Sequence, residues 1–341
     1  MQSKVLIPKR IFPEAIEYLQ DSTVELDYND TDRNLSAAEL LDRLQDKAGL
    51  ISMLTNRFSA DVMDALPNLR VIANVAVGFD NIDIPAATER KIVVTHTPDV
   101  LTETTADFAW ALMMSAARRI PEGERVLRAG KWDKWGIDLF CGPDIHHSTL
   151  GILGMGRIGQ ALVRRAQGFQ MRVQYHDAFR APAEVEQELN LQFVTFDELF
   201  QTSDFVSVHV PLLPETRHLV GAEQFKLMKK MAVFINTSRG PVVDEEALAW
   251  ALEERLIAAA GLDVYEREPI VRTSPVGAGK RGADTAYREC FVQHAAGHVH
   301  ARRRKPRHRA GGETPAHPGE CDAFRCPSRA AGSEAVDCAY C

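Results

Sequence analysis

The stretch TLGILGMGRIG at residues 149–159 decides the fold of this chain. It joins an apolar run to three glycines in the spacing G-x-G-x-x-G, which is typical of the turn from a buried strand into a helix. Gly154 is expected to permit the tight turn, Gly156 to leave room for a pyrophosphate, and Gly159 to let the helix pack on the strand. The pyrophosphate would bind the unpaired N–H groups at the positive end of that helix.

The residues after these glycines complete a dinucleotide-binding unit. A predicted helix at 160–167 is followed by an apolar strand at 171–175 and then by Asp177. An acidic side chain about 20 residues past the glycines accepts hydrogen bonds from the ribose hydroxyls of NAD, although Asp177 could also be a plain turn carboxylate. A carboxylate here repels a 2′-phosphate and favours NADH, while Arg180 keeps NADP possible.

Composition bounds the class of protein. The chain has 341 residues, 45% of them hydrophobic, and a formal net charge of -7, which allows two domains and argues against a nucleic-acid partner. No apolar run approaches the length of a membrane span, and residues 4–8 resemble a first strand rather than a secretory signal. We therefore expect a cytoplasmic protein without a membrane partner.

Short β-branched runs alternate with helical patterns, which predicts an α/β fold of two doubly wound, Rossmann-like parallel sheets. The predicted strands of the first half lie at 5–7, 49–54, 70–77 and 92–96, and its helices at 12–19, 37–44 and 59–66. The second half continues with strands at 150–153, 171–175, 204–210, 232–235 and 258–264 and helices at 222–228 and 245–254.

A long helical pattern covers residues 102–120, with Thr102 as the expected N-cap. Pro98 precedes it as the expected hinge between domains. Its residues Phe108, Ala111, Leu112 and Ser115 recur at helical spacing and are expected to pack in the core or at a subunit interface. Trp132 and Trp135 are interpreted as packing residues.

Candidate binding groups stand at the carboxyl ends of predicted strands, where open parallel sheets bind their ligands. In the segment VGFDN at 77–81, Gly78 could expose backbone N–H groups to a small carboxylate or simply form a turn. Arg239, Asp263 and Glu268 follow later strands. Any one of them would ordinarily be a solvated charge, but three at one edge of a sheet indicate a site.

Residues 1 to about 270 resemble the D-isomer-specific 2-hydroxyacid dehydrogenases, most closely the glyoxylate and hydroxypyruvate reductase branch. Six ordered motifs carry the resemblance: VGFDNID at 77–83, TPDVLTETTADFAWAL at 97–112, GKWDKW at 130–135, LGILGMGRIG at 150–159, NTSRGPVVDEEAL at 236–248 and GLDVYEREP at 261–269. The resemblance implies reduction of a small 2-keto acid by NAD(P)H. It implies a flavodoxin-like substrate domain at 1–98 and an NAD-binding domain at 99–285. We also expect a homodimer, with the helix at 102–120 as the candidate interface.

The resemblance also implies roles for the substrate-binding and catalytic residues. Arg239 would bind the substrate carboxylate with its planar fork of donors and polarise the keto oxygen. The backbone N–H groups of Val77 and Gly78 would bind the same carboxylate. Glu268 would stabilise a histidine that donates a proton as hydride reaches the keto carbon.

The implied cofactor contacts all lie in the second half of the fold. Asp263 and the carbonyl of Thr237 would hold the nicotinamide carboxamide, with Thr105 nearby. The remaining contacts would come from Gly154, Gly156, Arg157, Ile158 and Gly159 at the pyrophosphate, Asp177 at the ribose, and His209, Pro211 and Thr216 on a loop under the cofactor.

The catalytic histidine is missing from its expected place. The family supplies it from a segment like ENVVLTPHIGSA, but this chain departs from the family at about residue 271 and becomes rich in Cys, His and Arg. We hypothesise a frameshift. Read from the second base of freely chosen synonymous codons, residues 276–291 permit LELENVVLTPHIGSAS and 295–320 permit RLAMCTLAAENLAIALAGKRPPTLVN. The histidine codon would straddle Ala286 and Tyr287.

Three other interpretations of the ending stay open. A metal-binding tail would use Cys338 with Cys341, Cys321 with Cys326 and nearby histidines, but these spacings fit no closed four-ligand site, so no metal is expected. His294 could replace the catalytic histidine, although no predicted strand positions it. Without a proton donor, the chain would be an inactive NAD-binding scaffold or regulator, or would not fold stably. Residues 286–341 are expected to form an irregular, aberrant tail.

Overall fold

The computed structural model describes residues 2–268, and the chain divides between Thr97 and Pro98 into two compact units. Each unit is a parallel α/β sheet, which confirms the predicted fold class. The predicted tail and the candidate residues beyond Glu268 lie outside the described residues. Among residues 2–268, no helix is both long enough and apolar enough to cross a membrane.

The first unit has five parallel strands in the order β2-β1-β3-β4-β5, the strand order of flavodoxin-like folds. Its strands are β1 (Ser3–Ile7), β2 (Val24–Tyr28), β3 (Gly49–Ser52), β4 (Val71–Asn74) and β5 (Val93–Thr95), and its helices are α1 (Pro13–Gln20), α2 (Ala37–Leu44), α3 (Ala60–Asp64) and α4 (Ile84–Glu89). The order of the strands reverses between β1 and β3, so the carboxyl ends of β1 and β3 flank this switch point and that of β4 lies next to β3.

The second unit has six parallel strands in the order β11-β10-β9-β6-β7-β8, the Rossmann order with its switch point between β6 and β9. Its strands are β6 (Thr149–Leu153), β7 (Arg172–His176), β8 (Leu191–Phe193), β9 (Phe205–Val208), β10 (Val233–Asn236) and β11 (Ala259–Leu262). Its helices are α5 (Thr102–Ala117), α6 (Ile120–Arg128), α7 (Arg157–Gln167), α8 (Ala183–Leu189), α9 (Phe196–Thr202), α10 (Ala222–Leu227) and α11 (Glu245–Glu253).

The sheet of the second unit is buried on both faces. Along β10, Val233 and Ile235 pack in one apolar cluster with α5 and α7, whereas Phe234 packs in another with α10 and α11. Because successive strand residues point to opposite faces, β10 needs apolar residues at every position. This explains the continuous apolar run from which the strand was predicted.

The predicted helix at 102–120 begins at the expected residue but ends too late, and its expected N-cap is wrong. Thr102 is the first helical residue of α5, and its N-cap, Leu101, makes no side-chain capping bond. The helix ends at Ala117, and α6 begins at Ile120 after Arg119, whose backbone is left-handed with φ 51°. Pro121 in the first turn of α6 explains the break, because proline is tolerated at the start of a helix but not in its interior.

Two packing predictions near this break have different outcomes. Of the α5 residues expected to pack in the core or at a subunit interface, Leu112 is buried, whereas Ala111 is exposed and so does not pack in the core. Trp132 and Trp135 are 58% and 77% exposed within the described part of the chain, so they are not packing residues there.

Candidate functional site

The glycine turn after β6 requires glycine at two positions for steric reasons. Gly154 has φ +98°, and a Cβ there would lie 2.8 Å from the backbone carbon of His209. A Cβ on Gly159 would lie 2.5 Å from the carbonyl oxygen of Gly154. The first glycine therefore permits the turn against β9, and the second lets α7 pack directly on that turn.

Gly156 is different, because a Cβ there would meet no atom within 4 Å. It is the N-cap of α7 and has an extended backbone, and no side chain caps the helix. The first N–H groups of this helix, beginning with Arg157 and Ile158, are therefore available beside open space. Positive helix dipole, unpaired donors and room for a ligand together fit a bound anion such as a pyrophosphate.

Asp177 is hydrogen-bonded to the same turn. One carboxylate oxygen accepts from the N–H of Met155 at 2.7 Å and the other from the N–H of Phe179 at 3.3 Å. A carboxylate offers about four acceptor positions, so two remain for the hydroxyls of a ribose. The half-buried Asp177 thus lies where a dinucleotide along the glycine turn would present its ribose.

The loop after β10 presents Arg239. Asn236, which is almost fully buried, donates from Nδ2 to the carbonyl of Arg239 at 3.0 Å and accepts from the N–H of Ser238 at 3.0 Å. The Arg239 guanidinium donates from Nη1 to the carbonyl of Ser238 at 2.8 Å. Asn236 therefore fixes the loop that carries the arginine. Sequence reasoning missed it, although asparagine at a strand end is a known turn-forming signal.

The ends of β10 and β11 lie together. The N–H of Asp263 donates to the carbonyl of Asn236 at 3.0 Å, and a Cβ on Gly240 would lie 2.0 Å from the backbone of Tyr265. The Thr237 hydroxyl is buried and has no hydrogen-bond partner among the described residues. A buried polar atom without a partner is costly, so Thr237 fits a position completed by a ligand.

Glu268 lies at the end of the described chain and is exposed. Its carboxylate accepts from the N–H of Tyr265 at 2.9 Å. No histidine within residues 2–268 pairs with it; His218 binds Glu266 instead. Ala286 and Tyr287, where the frameshift hypothesis puts the histidine codon, lie beyond the described residues.

The loop after β9 carries His209, Pro211 and Thr216. The Nε2 atom of His209 lies 2.9 Å from the Ser207 hydroxyl, and burial lowers the pKa of His209 to about 4. His209 is therefore neutral near pH 7 and is a poor proton donor there. The Thr216 hydroxyl donates to the carbonyl of Pro211 at 2.6 Å, which closes the loop on itself.

Two other predicted cofactor residues lie at the α5 side of the second unit. Thr105 is half-buried in the first turn of α5, where its N–H donates to the carbonyl of Leu101 at 2.8 Å. The exposed Arg157 side chain forms a 2.8 Å ion pair with Asp99. Arg157 therefore offers a ligand its backbone N–H rather than its guanidinium in this arrangement.

In the first unit, the loop after β4 turns three consecutive carbonyls inward. The carbonyl of Ala76 accepts from the N–H of Thr97 and that of Val77 from Nδ1 of His96, both at 2.9 Å. The carbonyl of Gly78 accepts from Nδ2 of the buried Asn74 at 2.9 Å.

This carbonyl clamp, made by Asn74, His96 and Thr97, leaves the opposite side of the peptides for a ligand. The N–H groups of Val77 and Gly78 donate to no acceptor within residues 2–268. Adjacent unpaired N–H groups make an anion-binding site. Sequence reasoning found Val77 and Gly78 but missed Asn74 and His96, because the clamp depends on contacts between β4 and β5 that periodicity does not reveal.

Comparison with known proteins assigns this geometry to a family. The model of the D-isomer specific 2-hydroxyacid dehydrogenase NAD binding domain matches residues 110–284. A glyoxylate reductase from Korarchaeum cryptofilum is 47% identical over 277 residues, which cover 81% of this chain and 83% of that protein.

Solved structures agree in fold. The TT0316 protein from Thermus thermophilus superposes with a TM-score of 0.74 at 40% identity, covering 84% of this chain and 93% of that one. An NADPH-dependent glyoxylate/hydroxypyruvate reductase from Sinorhizobium meliloti gives a TM-score of 0.69 at 32% identity, with 88% of each chain covered.

Proposed function

The chain belongs to the D-isomer-specific 2-hydroxyacid dehydrogenases, NAD(P)-dependent oxidoreductases of 2-keto acids, and we propose that its substrate is glyoxylate or hydroxypyruvate and its preferred cofactor NADH. Reductases of glyoxylate are among its relatives at over 40% identity. The observation that carries the proposal is the Asp177 carboxylate hydrogen-bonded to the glycine turn, with acceptor positions left for a ribose.

The second unit would hold the cofactor, which supplies hydride when bound. The N–H groups at the start of α7 would bind its pyrophosphate, and Asp177 its ribose. Asp263 and the carbonyl of Thr237 would orient its carboxamide, with Thr105 and the loop of His209, Pro211 and Thr216 beside it. Because His209 is neutral, it adds no charge to the cofactor site.

The chain offers two kinds of donor for a carboxylate. The planar guanidinium of Arg239 would bind a carboxylate through two parallel hydrogen bonds and polarise the keto oxygen. In the first unit, the N–H groups of Val77 and Gly78 would bind a carboxylate as the carbonyl clamp holds their peptides. Both sets of hydrogen-bond donors favour a small anionic 2-keto acid over a neutral ketone.

Proton delivery needs a partner for Glu268. We propose that the frame of the coding sequence slipped near residue 271 and that the family's histidine was lost with it. Glu268 would stabilise that histidine as an imidazolium, the proton donor of the reaction. The chain as written should therefore bind NADH but reduce keto acids slowly.

A titration with NADH tests the cofactor site without any turnover. We expect the full chain to enhance and shift NADH fluorescence, and Asp177→Ala to weaken NADH binding by roughly tenfold or more, because charge-assisted hydrogen bonds to the ribose are lost. Asp177→Asn, which keeps the shape and one acceptor, should fall between the two. An Asp177→Ala variant that binds NADH as well as the native chain would disprove the site.

Substrate preference is measured in a chain whose reading frame has been restored to that of the family. In that enzyme, glyoxylate and hydroxypyruvate should give the highest kcat/KM, and a bulky keto acid such as phenylpyruvate a much lower one. A higher kcat/KM for the bulky substrate would contradict the proposed substrate and indicate another branch of the family.

We also propose a cytoplasmic homodimer that associates through α6 and the following segment rather than through α5. The apolar residues of α5 are used within the second unit, since Ala109, Leu112 and Met113 are buried. Exposed large apolar residues of the described chain are concentrated in α6 and the segment after it, at Ile120, Leu127, Trp132, Trp135, Ile137 and Leu139. Such a concentration of exposed apolar side chains in one segment is typical of an interface.

Light scattering after gel filtration tests the dimer. The native chain should elute as a dimer, and a Trp135→Ser, Ile137→Ser double variant should shift towards a monomer while keeping its helical signal. Phe179→Ser is a matched control, because Phe179 is 85% exposed but lies on the loop after β7 and not in α6 or the segment that follows it. Equal masses for all three chains would exclude this interface.

A further inference from the structure

Arg180 is the first arginine after Asp177 and lies on the loop that follows β7. In dinucleotide-binding folds, a carboxylate here accepts the ribose hydroxyls of NAD, whereas an arginine nearby accommodates the 2′-phosphate of NADP. This loop carries both residue types. The partners of Arg180 therefore decide which cofactor the loop can bind.

The guanidinium of Arg180 is bound by the carboxylate of Glu186 on α8. Nε and Nη2 donate to the two oxygens of Glu186, each at 2.9 Å, in a bidentate pair. Hydrogen bonding to Glu186 holds the pKa of Arg180 above its ordinary value, and hydrogen bonding to Arg180 holds the pKa of Glu186 below its own. The guanidinium also lies 5.6 Å from the ring centre of Phe193.

Glu186 is fixed in turn from the interior of the unit. The hydroxyl of Tyr175 donates to Oε1 of Glu186 at 2.6 Å and accepts from the N–H of Ala181 at 2.8 Å. Tyr175 is fully buried in β7, and the Glu186 side chain is only 13% exposed, against 65% for that of Arg180. The buried Tyr175 thus fixes the position of the Glu186 carboxylate, and this carboxylate in turn binds the exposed Arg180.

We infer that Glu186, positioned by Tyr175, sets the preference for NADH by withholding Arg180 from a 2′-phosphate. Asp177 then acts on the ribose while Arg180 is held by Glu186, so this arginine does not offset the repulsion between Asp177 and a phosphate. The inference rests on the proposed function and deepens it, because it identifies the residues that select between the two cofactors.

Fluorescence titration of the full chain with NADH and with NADPH tests this inference by affinity alone. Glu186→Ala should lower the Kd for NADPH about tenfold, since a freed arginine can form charge-assisted hydrogen bonds with a phosphate. The Kd for NADH should stay within about twofold, which also reports an intact fold. Tyr175→Phe, which removes only the hydroxyl that positions Glu186, should give a smaller gain in the same direction.

Two further variants test whether the gain in NADPH affinity depends on Arg180. A Glu186→Ala, Arg180→Ala double variant should bind NADPH as weakly as the native chain, because the gain depends on the arginine. Arg180→Ala alone should leave both affinities within about twofold, and this variant is informative even if loss of Glu186 harms folding.

Each remaining outcome counts against the inference. Unchanged NADPH affinity in a folded Glu186→Ala chain, a gain that survives loss of Arg180, or weaker NADPH binding in Arg180→Ala alone would overturn it while leaving the cofactor site standing. Failure of the native chain to bind either dinucleotide would overturn the proposed function and this inference together.

Discussion

Gly159 and Gly156 lie in the same turn but meet different constraints. A Cβ on Gly159 would collide with the carbonyl of Gly154, whereas a Cβ on Gly156 would enter open space. We expect Gly159→Ala to lower the free energy of unfolding by about 1–3 kcal/mol, the usual cost of overpacking, despite the helix propensity that alanine adds.

Gly156→Ala is the matched control for this prediction. It should leave stability within about 0.5 kcal/mol and instead weaken NADH binding, because the new methyl group occupies space kept for the pyrophosphate. Urea unfolding and NADH titration of both variants measure the two effects. A stable Gly159→Ala chain, or a Gly156→Ala chain with full NADH affinity, would contradict the division of roles.

His209 makes stability depend on pH. Burial lowers its folded-state pKa to about 4 from its ordinary value of 6.5, so between these values the unfolded chain binds more protons than the folded one. The contribution of neutral His209 to the free energy of unfolding is fully present above pH 6.5 and is lost as the pH falls towards 4. Going from pH 7 to pH 5 should cost roughly 1–2 kcal/mol from this residue, allowing for its partial exposure.

The measurement is urea unfolding at pH 7 and pH 5 of the native chain and of His209→Gln, which keeps a hydrogen bond to Ser207 within reach. The variant should lose less stability over this interval. His218→Gln serves as the comparison, since His218 is exposed and paired with Glu266. An identical loss in native and His209→Gln chains would show that His209 is not buried neutral.

At the scale of elements, the conformation of the loop between β4 and α4 depends on two side chains, Asn74 at the end of β4 and His96 just after β5. His96 must carry its proton on Nδ1 to donate to the carbonyl of Val77, because a carbonyl can only accept. We expect His96→Phe to raise the KM for glyoxylate several-fold in the frame-restored enzyme. The variant keeps a ring against Phe79 but removes the donor, so the loop loses about one hydrogen bond.

The KM for NADH should not change in this variant, since the loop belongs to the first unit. His96→Asn, whose amide can donate from a similar position, should recover most of the affinity. A KM for glyoxylate that is unaffected by His96→Phe would mean that the carbonyl clamp does not position the N–H groups of Val77 and Gly78.

The strands that sequence reasoning missed share a position. β2 and β8 are edge strands of their sheets, and their residues are mostly half-buried or exposed. They therefore lack the continuous apolar run that a central parallel strand requires, and by which β6, β9 and β10 were predicted. Sequence reasoning also missed the short helices α4, α8 and α9, which have six or seven residues each.

The candidate site was predictable to different degrees for a related reason. The glycine spacing and Asp177 are close in sequence and follow from local rules of strand, turn and helix. Asn74 and Asn236 each fix the loop that follows their own strand, which is a local signal that sequence reasoning missed. His96 and Glu186 instead position other groups through contacts between neighbouring strand ends or between a strand and a helix. Such contacts depend on register, which the sequence pattern of one element does not specify.

At the scale of the whole molecule, the described chain contains a nucleotide-binding fold, and Glu268, which we propose acts in catalysis, has no histidine partner within residues 2–268. The motifs that carry the family resemblance end with GLDVYEREP at 261–269, and the family model matches as far as residue 284. The proposed slip of the reading frame would leave the proposed cofactor-binding residues untouched and would remove the proposed proton donor.

The most direct test compares NADH oxidation with glyoxylate by the chain as written and by a chain with the family frame restored, at equal concentrations and saturating NADH. The restored chain should turn over at least about a hundredfold faster, the usual contribution of a general acid, and replacing its histidine by glutamine should remove that gain. Equal turnover by the written and restored chains would contradict the loss of the proton donor.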